Sequence, residues 1–292
     1  MSGNAERIVV RKTYKLYIGG AFPRSESGHS YPVHDAAGQF LANASLASRK
    51  DARDAVVAAR KAFPGWAGRS AYNRAQIVYR IAEVMEDRRA QFEEAVARSE
   101  GVKASAATAI VDAAIDRLVW YAGWADKLTQ VLGNANPVAG PFFNLSTPEP
   151  VGVVAVLAPQ SSSLLGLVSV IAPVIVSGNT VVAVSSAARP LPAVTFAEVL
   201  ATSDVPAGVV NLLTGHLDAV APRLASHLDV NGIDLTGVED PALAISLEVA
   251  AAENLKLVRR APGSEPDWSA DPGLSRLTQF LQTKTVWHPI GI

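Results

Sequence analysis

The run that decides the fold is Val151-Gly-Val-Val-Ala-Val-Leu-Ala158, which is apolar at every position apart from one glycine. Short apolar runs of the same kind follow it, and the stretches between them have helical length and period. Strands that are apolar on both faces and alternate with helices are typical of a parallel sheet covered on each side. The sequence therefore predicts an α/β fold with a Rossmann-like doubly wound parallel sheet, its strands at Val151 to Ala158, Thr180 to Val184, Val209 to Leu213, Gly232 to Leu235 and Leu255 to Val258.

Helices are expected between the later strands and throughout the region before residue 136. Right-handed crossovers would bring the carboxyl ends of the strands to one edge, where ligands usually bind. The predicted helices are Asp51 to Ala62, Ala71 to Arg88, Ala90 to Ser99, Ser105 to Leu132, Leu191 to Thr202, Asp218 to His227 and Pro241 to Glu253. At the N-terminus, Lys15 to Phe22 and Gln39 to Ser45 are extended runs that predict a small β-hairpin.

Composition excludes several classes of protein. The 292 residues include 26 Lys and Arg, 27 Asp and Glu, and 49% hydrophobic residues, which argues against disorder and against a nucleic-acid partner. The absence of cysteine excludes disulfides and thiolate ligands. The five histidines lack metal-binding spacing, so no metal site is expected among His29, His34, His216, His227 and His288.

Neither a membrane span nor a secretory leader is expected. Pro150 to Ala188 contains no charged residue, but Pro159 and the polar run Gln160 to Ser163 interrupt it and leave too short an apolar piece. Met1 to Arg11 carries three charges and no long apolar run. We therefore expect a cytoplasmic protein.

Several short motifs, in this order and spacing, resemble the aldehyde dehydrogenase superfamily. A set of ordered matches is a far more specific signal than one isolated motif. The matching stretches are Leu16 to Phe22, Ala52 to Trp66, Glu149 to Val154, Ser177 to Val182, Val205 to Gly215, Ala225 to Val230 and Leu235 to Gly237. The stretch Phe280 to Trp287 is similar to the family's C-terminal oligomerisation strand.

The resemblance implies a Rossmann-type cofactor domain, a catalytic domain with a cysteine nucleophile, and a β-arm that pairs with a neighbouring subunit. The family's chemistry requires a thiolate that attacks the aldehyde carbonyl before hydride passes to the nicotinamide. This chain has no cysteine. It passes from Leu255 to Val258 through a short linker to the arm, without the segment that forms the family's catalytic domain. We therefore expect no catalytic residue and no catalysis.

The positions that resemble the family's cofactor and oxyanion sites are altered. The family's Pro-Trp-Asn, whose Asn stabilises the oxyanion, corresponds to Pro159-Gln160-Ser161, and its ribose-binding Lys-Pro-Ala-Glu corresponds to Val184-Ser-Ser-Ala187. Its pyrophosphate-contacting Phe-Thr-Gly-Ser corresponds to Leu235-Thr-Gly-Val238, with Ala242 where a second Gly stands. Its Glu-Leu-Gly-Gly, which carries the general base, corresponds to Ala261-Pro-Gly-Ser264.

No intact cofactor site is therefore predicted. The vestigial positions are Pro159, Ser161, Val184, Thr236 and Gly237. NAD or NADP is expected only under the alternative hypothesis, an NAD(P)-binding oxidoreductase of this family with residual or altered activity.

The sequence predicts five segments: residues 1–136 with the hairpin and helices, the arm excursion 137–150, the sheet 151–262, a linker 263–278 in place of the catalytic domain, and the strand 279–292. The leading hypothesis is a catalytically inactive subunit that binds a full-length aldehyde dehydrogenase through Pro137 to Thr147 and Gln279 to Trp287. A structural protein without a specific partner is a third hypothesis.

Overall fold

A computed structural model describes residues 12–291, so Met1 to Arg11 and Ile292 lie outside the described residues. The helices are α1 (Arg49–Ala67), α2 (Ala71–Asp87), α3 (Arg89–Glu100), α4 (Ala104–Ala122), α5 (Leu128–Leu132), α6 (Leu165–Val176), α7 (Leu191–Leu200), α8 (Leu217–Ser226), α9 (Pro241–Ala252) and α10 (Ser275–Thr278). The strands are β1 (Thr13–Tyr14), β2 (Ser30–His34), β3 (Phe40–Ser45), β4 (Asn134–Ala135), β5 (Phe142–Pro150), β6 (Val153–Leu157), β7 (Thr180–Val184), β8 (Val210–Leu213), β9 (Gly232–Asp234), β10 (Leu257–Arg259) and β11 (Leu281–Pro289).

Strands β6 to β10 form one parallel five-stranded sheet in the order β10-β9-β6-β7-β8. The predicted α/β fold with a doubly wound parallel sheet is confirmed. The chain builds outward from β6 to β7 and β8, then crosses to β9 and β10 on the other side. The point where the order reverses, between β6 and β9, is where such sheets open a crevice at their carboxyl edge.

The sheet is buried on both faces because alternate side chains of each strand point in opposite directions. Val154 and Val156 of β6 pack into a core with α2, α4, α6 and α7. Val153 and Leu157 pack into a second core with α1, α8 and α9. Two cores on one sheet explain why β6 is apolar throughout.

Helix α6 lies in the middle of the long uncharged stretch from Pro150 to Ala188. Every residue of α6 is buried between the sheet and the neighbouring helices. Within the described part of the chain, no helix has both the length and the apolar character to cross a membrane.

The N-terminal strands pair differently from the prediction. Strand β3 pairs antiparallel with β2 and parallel with β1, so the predicted hairpin between Lys15 to Phe22 and Gln39 to Ser45 is wrong. Tyr17 instead exchanges two backbone hydrogen bonds with Leu212 at the edge of the central sheet, with N···O distances of 2.9 and 2.8 Å. The stretch 15–22 turns at Gly19 and Gly20, where Ile18 bridges to Ala21, and the residue before this turn that pairs with a strand, Tyr17, has its partner far along the chain.

The predicted helix from Ser105 to Leu132 is divided in two. Helix α4 ends at Ala122 and its C-cap is Gly123. The following turn leads into the short helix α5 and then into β4.

The arm is a second, antiparallel sheet in the order β11-β5-β4. Strands β11 and β5 pair over nine residues, from Leu281 opposite Pro150 to Pro289 opposite Phe142. The rings of Trp287 and Phe142 lie edge to face at 5.7 Å between centroids. The two stretches separated by more than 130 residues of sequence thus form one structural unit.

One buried amide joins the arm to the central sheet. Asn179 is fully buried, and its Oδ1 accepts a hydrogen bond from the Gly152 N–H at 2.9 Å. Its Nδ2 donates to the Phe280 carbonyl at 2.9 Å and to the Ser177 hydroxyl at 3.0 Å. The turn before β7, the start of β6 and the start of β11 therefore depend on one side chain.

We expect Asn179→Ala to lower the free energy of unfolding by about 3 kcal/mol, because it leaves the buried Gly152 N–H without a partner and removes one of the two hydrogen bonds to the Phe280 carbonyl. Denaturant unfolding followed by circular dichroism measures this loss. The control is Asn254→Ala, which removes a surface bond from Asn254 Nδ2 to the Leu228 carbonyl and should cost less than about 1 kcal/mol. Equal losses in the two variants would contradict this role of Asn179.

Candidate functional site

A cavity of about 310 Å³ lies at the carboxyl edge of the sheet, beside the point where the strand order reverses. The loop after β6 contributes Pro159 and Gln160, and the loop after β9 contributes Thr236 and Gly237. The start of α9 and the segment 260–265 complete the lining. Three of the five vestigial positions predicted from sequence therefore meet in one cavity.

Ser161 and Val184, the other two vestigial positions, do not line this cavity. Val184 is the last residue of β7 and is fully buried in the core with α1 and α8. Ser161 is exposed, and its carbonyl accepts a hydrogen bond from Arg189.

Gly237 is required by close packing of its own loop. Its N–H donates to the Leu157 carbonyl at 2.9 Å. A Cβ atom at this position would lie 1.9 Å from the carbonyl oxygen of Ala158, so no side chain fits. Glycine here holds the loop after β9 against the end of β6, whether or not a ligand binds.

Thr236 belongs to a buried ion-pair network. Asp234 is 2% exposed, and its Oδ1 accepts hydrogen bonds from the Thr236 N–H, at 2.9 Å, and from the Thr236 hydroxyl. Arg276 donates from Nη1 to Asp234 Oδ2 at 2.9 Å and from Nη2 to the Thr236 hydroxyl at 3.2 Å. Burial lowers the pKa of Arg276, and the neighbouring Asp234 opposes that shift. The Thr236 hydroxyl is thus already committed within the protein.

Sequence reasoning missed this network. Asp234 is a lone carboxylate in an otherwise apolar strand, Gly-Ile-Asp-Leu, and a buried charge needs a partner. That rule indicates that some cation must approach it. It does not identify Arg276, which lies 42 positions away in the predicted linker.

Gln160 links the loops that follow β6 and β7. Its Oε1 accepts a hydrogen bond from the Ala187 N–H at 3.2 Å, and its Nε2 donates to the Ala158 carbonyl at 2.7 Å. The Ser186 hydroxyl donates to the Gln160 carbonyl at 2.8 Å. These contacts occupy the Gln160 side chain, the Ser186 hydroxyl and the Ala187 N–H at the edge where a ribose would be expected from the resemblance.

The predicted linker folds back onto α4 and α6. Trp268 is 8% exposed, and its Nε1 donates to Glu265 Oε1 at 2.9 Å. Arg117 of α4 is also buried and donates to the carbonyls of Trp268 and Ala270 at 2.7 and 3.0 Å, and to the Ser169 hydroxyl at 3.1 Å. The Arg276 guanidinium lies 4.9 Å from the centre of the Trp268 ring. The predicted linker is therefore held against α4 and α6 by specific hydrogen bonds.

The charge of the cavity does not suit a pyrophosphate. Its lining carries the carboxylates of Glu239, Glu248 and Glu265. Arg260 is the one basic residue in that lining, and it pairs with Glu248 at 3.2 Å. The uncompensated carboxylates repel an anionic ligand. Among residues 12–291 there is also no group of three or more His, Asp or Glu residues that could hold a metal ion.

Comparisons with known proteins agree on one family. The profile named "Aldehyde dehydrogenase family" matches residues 22–264. The protein "Aldehyde dehydrogenase, cytosolic 1" of Elephantulus edwardii is 32% identical over 256 residues, which is 86% of this chain and 50% of that protein. Human "Cytosolic 10-formyltetrahydrofolate dehydrogenase" is 33% identical over 269 residues, which is 88% of this chain and 29% of that protein.

Solved structures agree with the sequence matches. A putative aldehyde dehydrogenase from Burkholderia cenocepacia superimposes with a TM-score of 0.79 at 29% identity, covering 84% of this chain and 50% of the other. An aldehyde dehydrogenase from Bacillus cereus, solved as its NAD+ complex, gives 0.79 at 26% identity over 85% and 50% of the two chains. This chain spans about half the length of the aldehyde dehydrogenases that it matches.

We expect Arg276→Gln to lower the free energy of unfolding by about 4 kcal/mol, because Asp234 is left buried without a cation. The double variant Asp234→Asn with Arg276→Gln should lose less than the sum of the two single losses, since neither charge remains. Lys284→Gln is the control, because it breaks an exposed pair with Glu149 at 3.0 Å and should cost less than about 1 kcal/mol. Additive single losses would contradict coupling of the pair.

Proposed function

Since the chain belongs to the aldehyde dehydrogenase family, we propose that it is a non-catalytic member that acts in the cytoplasm as a structural or regulatory subunit of a full-length aldehyde dehydrogenase. The observation that carries the proposal is the absence of cysteine from all 292 residues. A thiolate is what makes the covalent step on the aldehyde carbonyl feasible. Without it, this chain has no nucleophile for that step.

The positions around the missing nucleophile support the same conclusion. Ser161 stands where the family's oxyanion-stabilising Asn is expected, and Ala261 stands where the general base is expected. Residues that act as a unit in catalysis leave little activity when all of them are replaced.

The state of the cleft argues against dinucleotide binding. The Thr236 hydroxyl bonds Asp234 and Arg276, and Gln160 bonds the loop after β7. A cofactor would have to break these bonds and enter a cavity that carries Glu239 and Glu265. The groups present therefore do not fit a pyrophosphate, and no step of a reaction is assigned to one.

The arm supplies the surface for a partner. Strand β11 is an edge strand of the sheet β11-β5-β4, and every residue from Gln282 to Pro289 is exposed. Apolar side chains accompany that edge, with 47% of Val286 and 58% of Trp287 accessible to solvent. Proteins normally cover a long apolar edge of this kind, because it otherwise pairs with other chains.

The proposed occupant of that edge is a sheet of the full-length subunit. The resemblance implies that the family's arm lies on the catalytic domain of a neighbouring subunit. A second copy of this chain would offer the arm no catalytic domain to extend, so a full-length relative is the partner that the arm fits. An added strand would bind through main-chain hydrogen bonds, as in other cases of β-augmentation.

The register identifies which β11 groups face a partner. Bonds from Val151 N to Phe280 O, at 3.3 Å, and from Ile290 N to Pro141 O, at 2.8 Å, place the even-numbered residues in the ladder with β5. The odd-numbered residues, Thr283 among them, then direct their N–H groups away from β5. Proline at 283 removes such an outward donor and leaves the bonds to β5 in place.

We expect the chain to co-purify with a co-expressed full-length aldehyde dehydrogenase, and Thr283→Pro to reduce the complex at least about tenfold. Thr283→Val is the matched control, since it keeps the N–H and a β-branched side chain. Native mass measurement after size exclusion gives the stoichiometry. The proposed assembly would be overturned by a stable monomer that does not bind the full-length enzyme. Equal binding by Thr283→Pro and Thr283→Val would overturn it as well.

The alternative, an NAD(P)-binding oxidoreductase, has a separate test. We expect neither NAD nor NADP at about millimolar concentration to shift the thermal unfolding of the chain, because no stabilisation arises without binding. A full-length family member serves as the positive control. A saturable rise in the melting temperature with either nucleotide would contradict the non-catalytic subunit and support the NAD(P)-binding oxidoreductase.

A further inference from the structure

A second groove, of about 510 Å³, lies between α1 and α8 on the face of the sheet opposite α6. It shares no lining residue with the cavity at the carboxyl edge. Four of its eight lining residues are basic and one is acidic; they are Arg49, Lys50, Arg53, Arg223, Asp218, Ala219, Pro222 and Ser226.

Two of the four cations are already neutralised. Arg53 donates from Nε and Nη2 to Asp54 Oδ1 at 3.1 and 2.9 Å, and Lys50 lies 3.5 Å from Glu26. Arg49 and Arg223 make no ion pair with any residue in the described part of the chain. Two exposed guanidinium groups therefore face the groove uncompensated.

The placement of the cations on α1 opposes the helix dipole. Arg49 and Lys50 occupy the first two positions of α1, and Arg53 follows one turn later. Positive charge is unfavourable in the first turn of a helix, where the partial charge of the backbone is also positive. Lys50 and Arg53 have their ion pairs with Glu26 and Asp54, whereas helix stability gives no reason for Arg49 here and a bound anion would.

The acidic member of the lining lies away from Arg223. Asp218 is in the first turn of α8 and Arg223 is in the last. At 1.5 Å per residue they are about 7 Å apart along the helix axis. Asp218 therefore lies near the start of α1, where the Ala47 N–H donates to the Thr214 carbonyl at 2.9 Å, and Arg223 lies at the other end of α8.

His227, the residue that follows α8, lies within the influence of the charge on Arg223. The pKa of His227 is lowered, first by burial and then by the charges of Arg223, Lys256 and Arg53, although Asp229 opposes them. Arg223 and Arg53 of the groove are thus among the charges that act on His227, the residue that follows α8, after the effect of burial.

We propose that the groove between α1 and α8 binds the phosphate group of a small soluble ligand, with Arg49 and Arg223 as its main contacts. Guanidinium groups bind phosphate oxygens through paired, charge-assisted hydrogen bonds. The volume exceeds that of one phosphate and lies within the range of small-molecule sites, so the remainder of the ligand lies along Ala219 and Pro222. The inference is independent of the proposed subunit function, because it involves neither the arm nor the cleft.

Calorimetric titration with inorganic pyrophosphate at low ionic strength tests the site. We expect saturable binding to the unaltered chain and a loss of about tenfold or more in the variant Arg49→Gln with Arg223→Gln. The matched control is Arg69→Gln with Arg80→Gln, which removes the same two charges from exposed positions outside the groove and should change the affinity by less than about twofold.

Two further readouts separate a site from general charge effects. Arg49→Gln should leave the melting temperature unchanged or raise it, since it removes a cation from the start of α1. Sedimentation with phosphatidylserine vesicles distinguishes a lipid headgroup from a soluble ligand. The proposal is overturned by the absence of saturable pyrophosphate binding, by equal losses in both double variants, or by binding to vesicles without binding to pyrophosphate.

Discussion

The structure depends on the two-sided burial of β6, the strand at the centre of the parallel sheet. Val153 to Leu157 are fully buried, and alternate residues belong to two separate cores. Both cores must be covered for the strand to be stable, because each apolar face contributes burial only when helices cover it. The helices α1, α8 and α9 on one side and α2, α4, α6 and α7 on the other follow from that requirement.

The same strand sets the position of the cleft. The reversal of strand order beside β6 opens a crevice at its carboxyl end. In this chain the crevice is bordered by an internal network, in which Arg276 neutralises Asp234 and Arg117 holds the backbone around Trp268. The sheet thus keeps the doubly wound architecture, while the polar groups of Asp234, Thr236 and Arg276 bond one another beside the cleft.

The arm and the central sheet differ in how far their strands are exposed to solvent. Helices cover both faces of the central sheet, whereas β11 of the arm is exposed from Gln282 to Pro289. Asn179 connects the two, since it bonds both Gly152 and Phe280. A rigid connection of this kind holds an open edge in a defined orientation, as binding by strand addition requires.

The sequence by itself determined the strands of the central sheet, most helices and the absence of a cysteine nucleophile, because apolar periodicity and residue identity are local properties. It located Pro159, Thr236 and Gly237 through their motifs. Only the tertiary structure decided that β3 pairs with β2, that Val184 faces a core, and that Arg276 meets Asp234. These outcomes depend on contacts between residues far apart in the chain, and a local pattern states that a buried carboxylate needs a cation without saying which one.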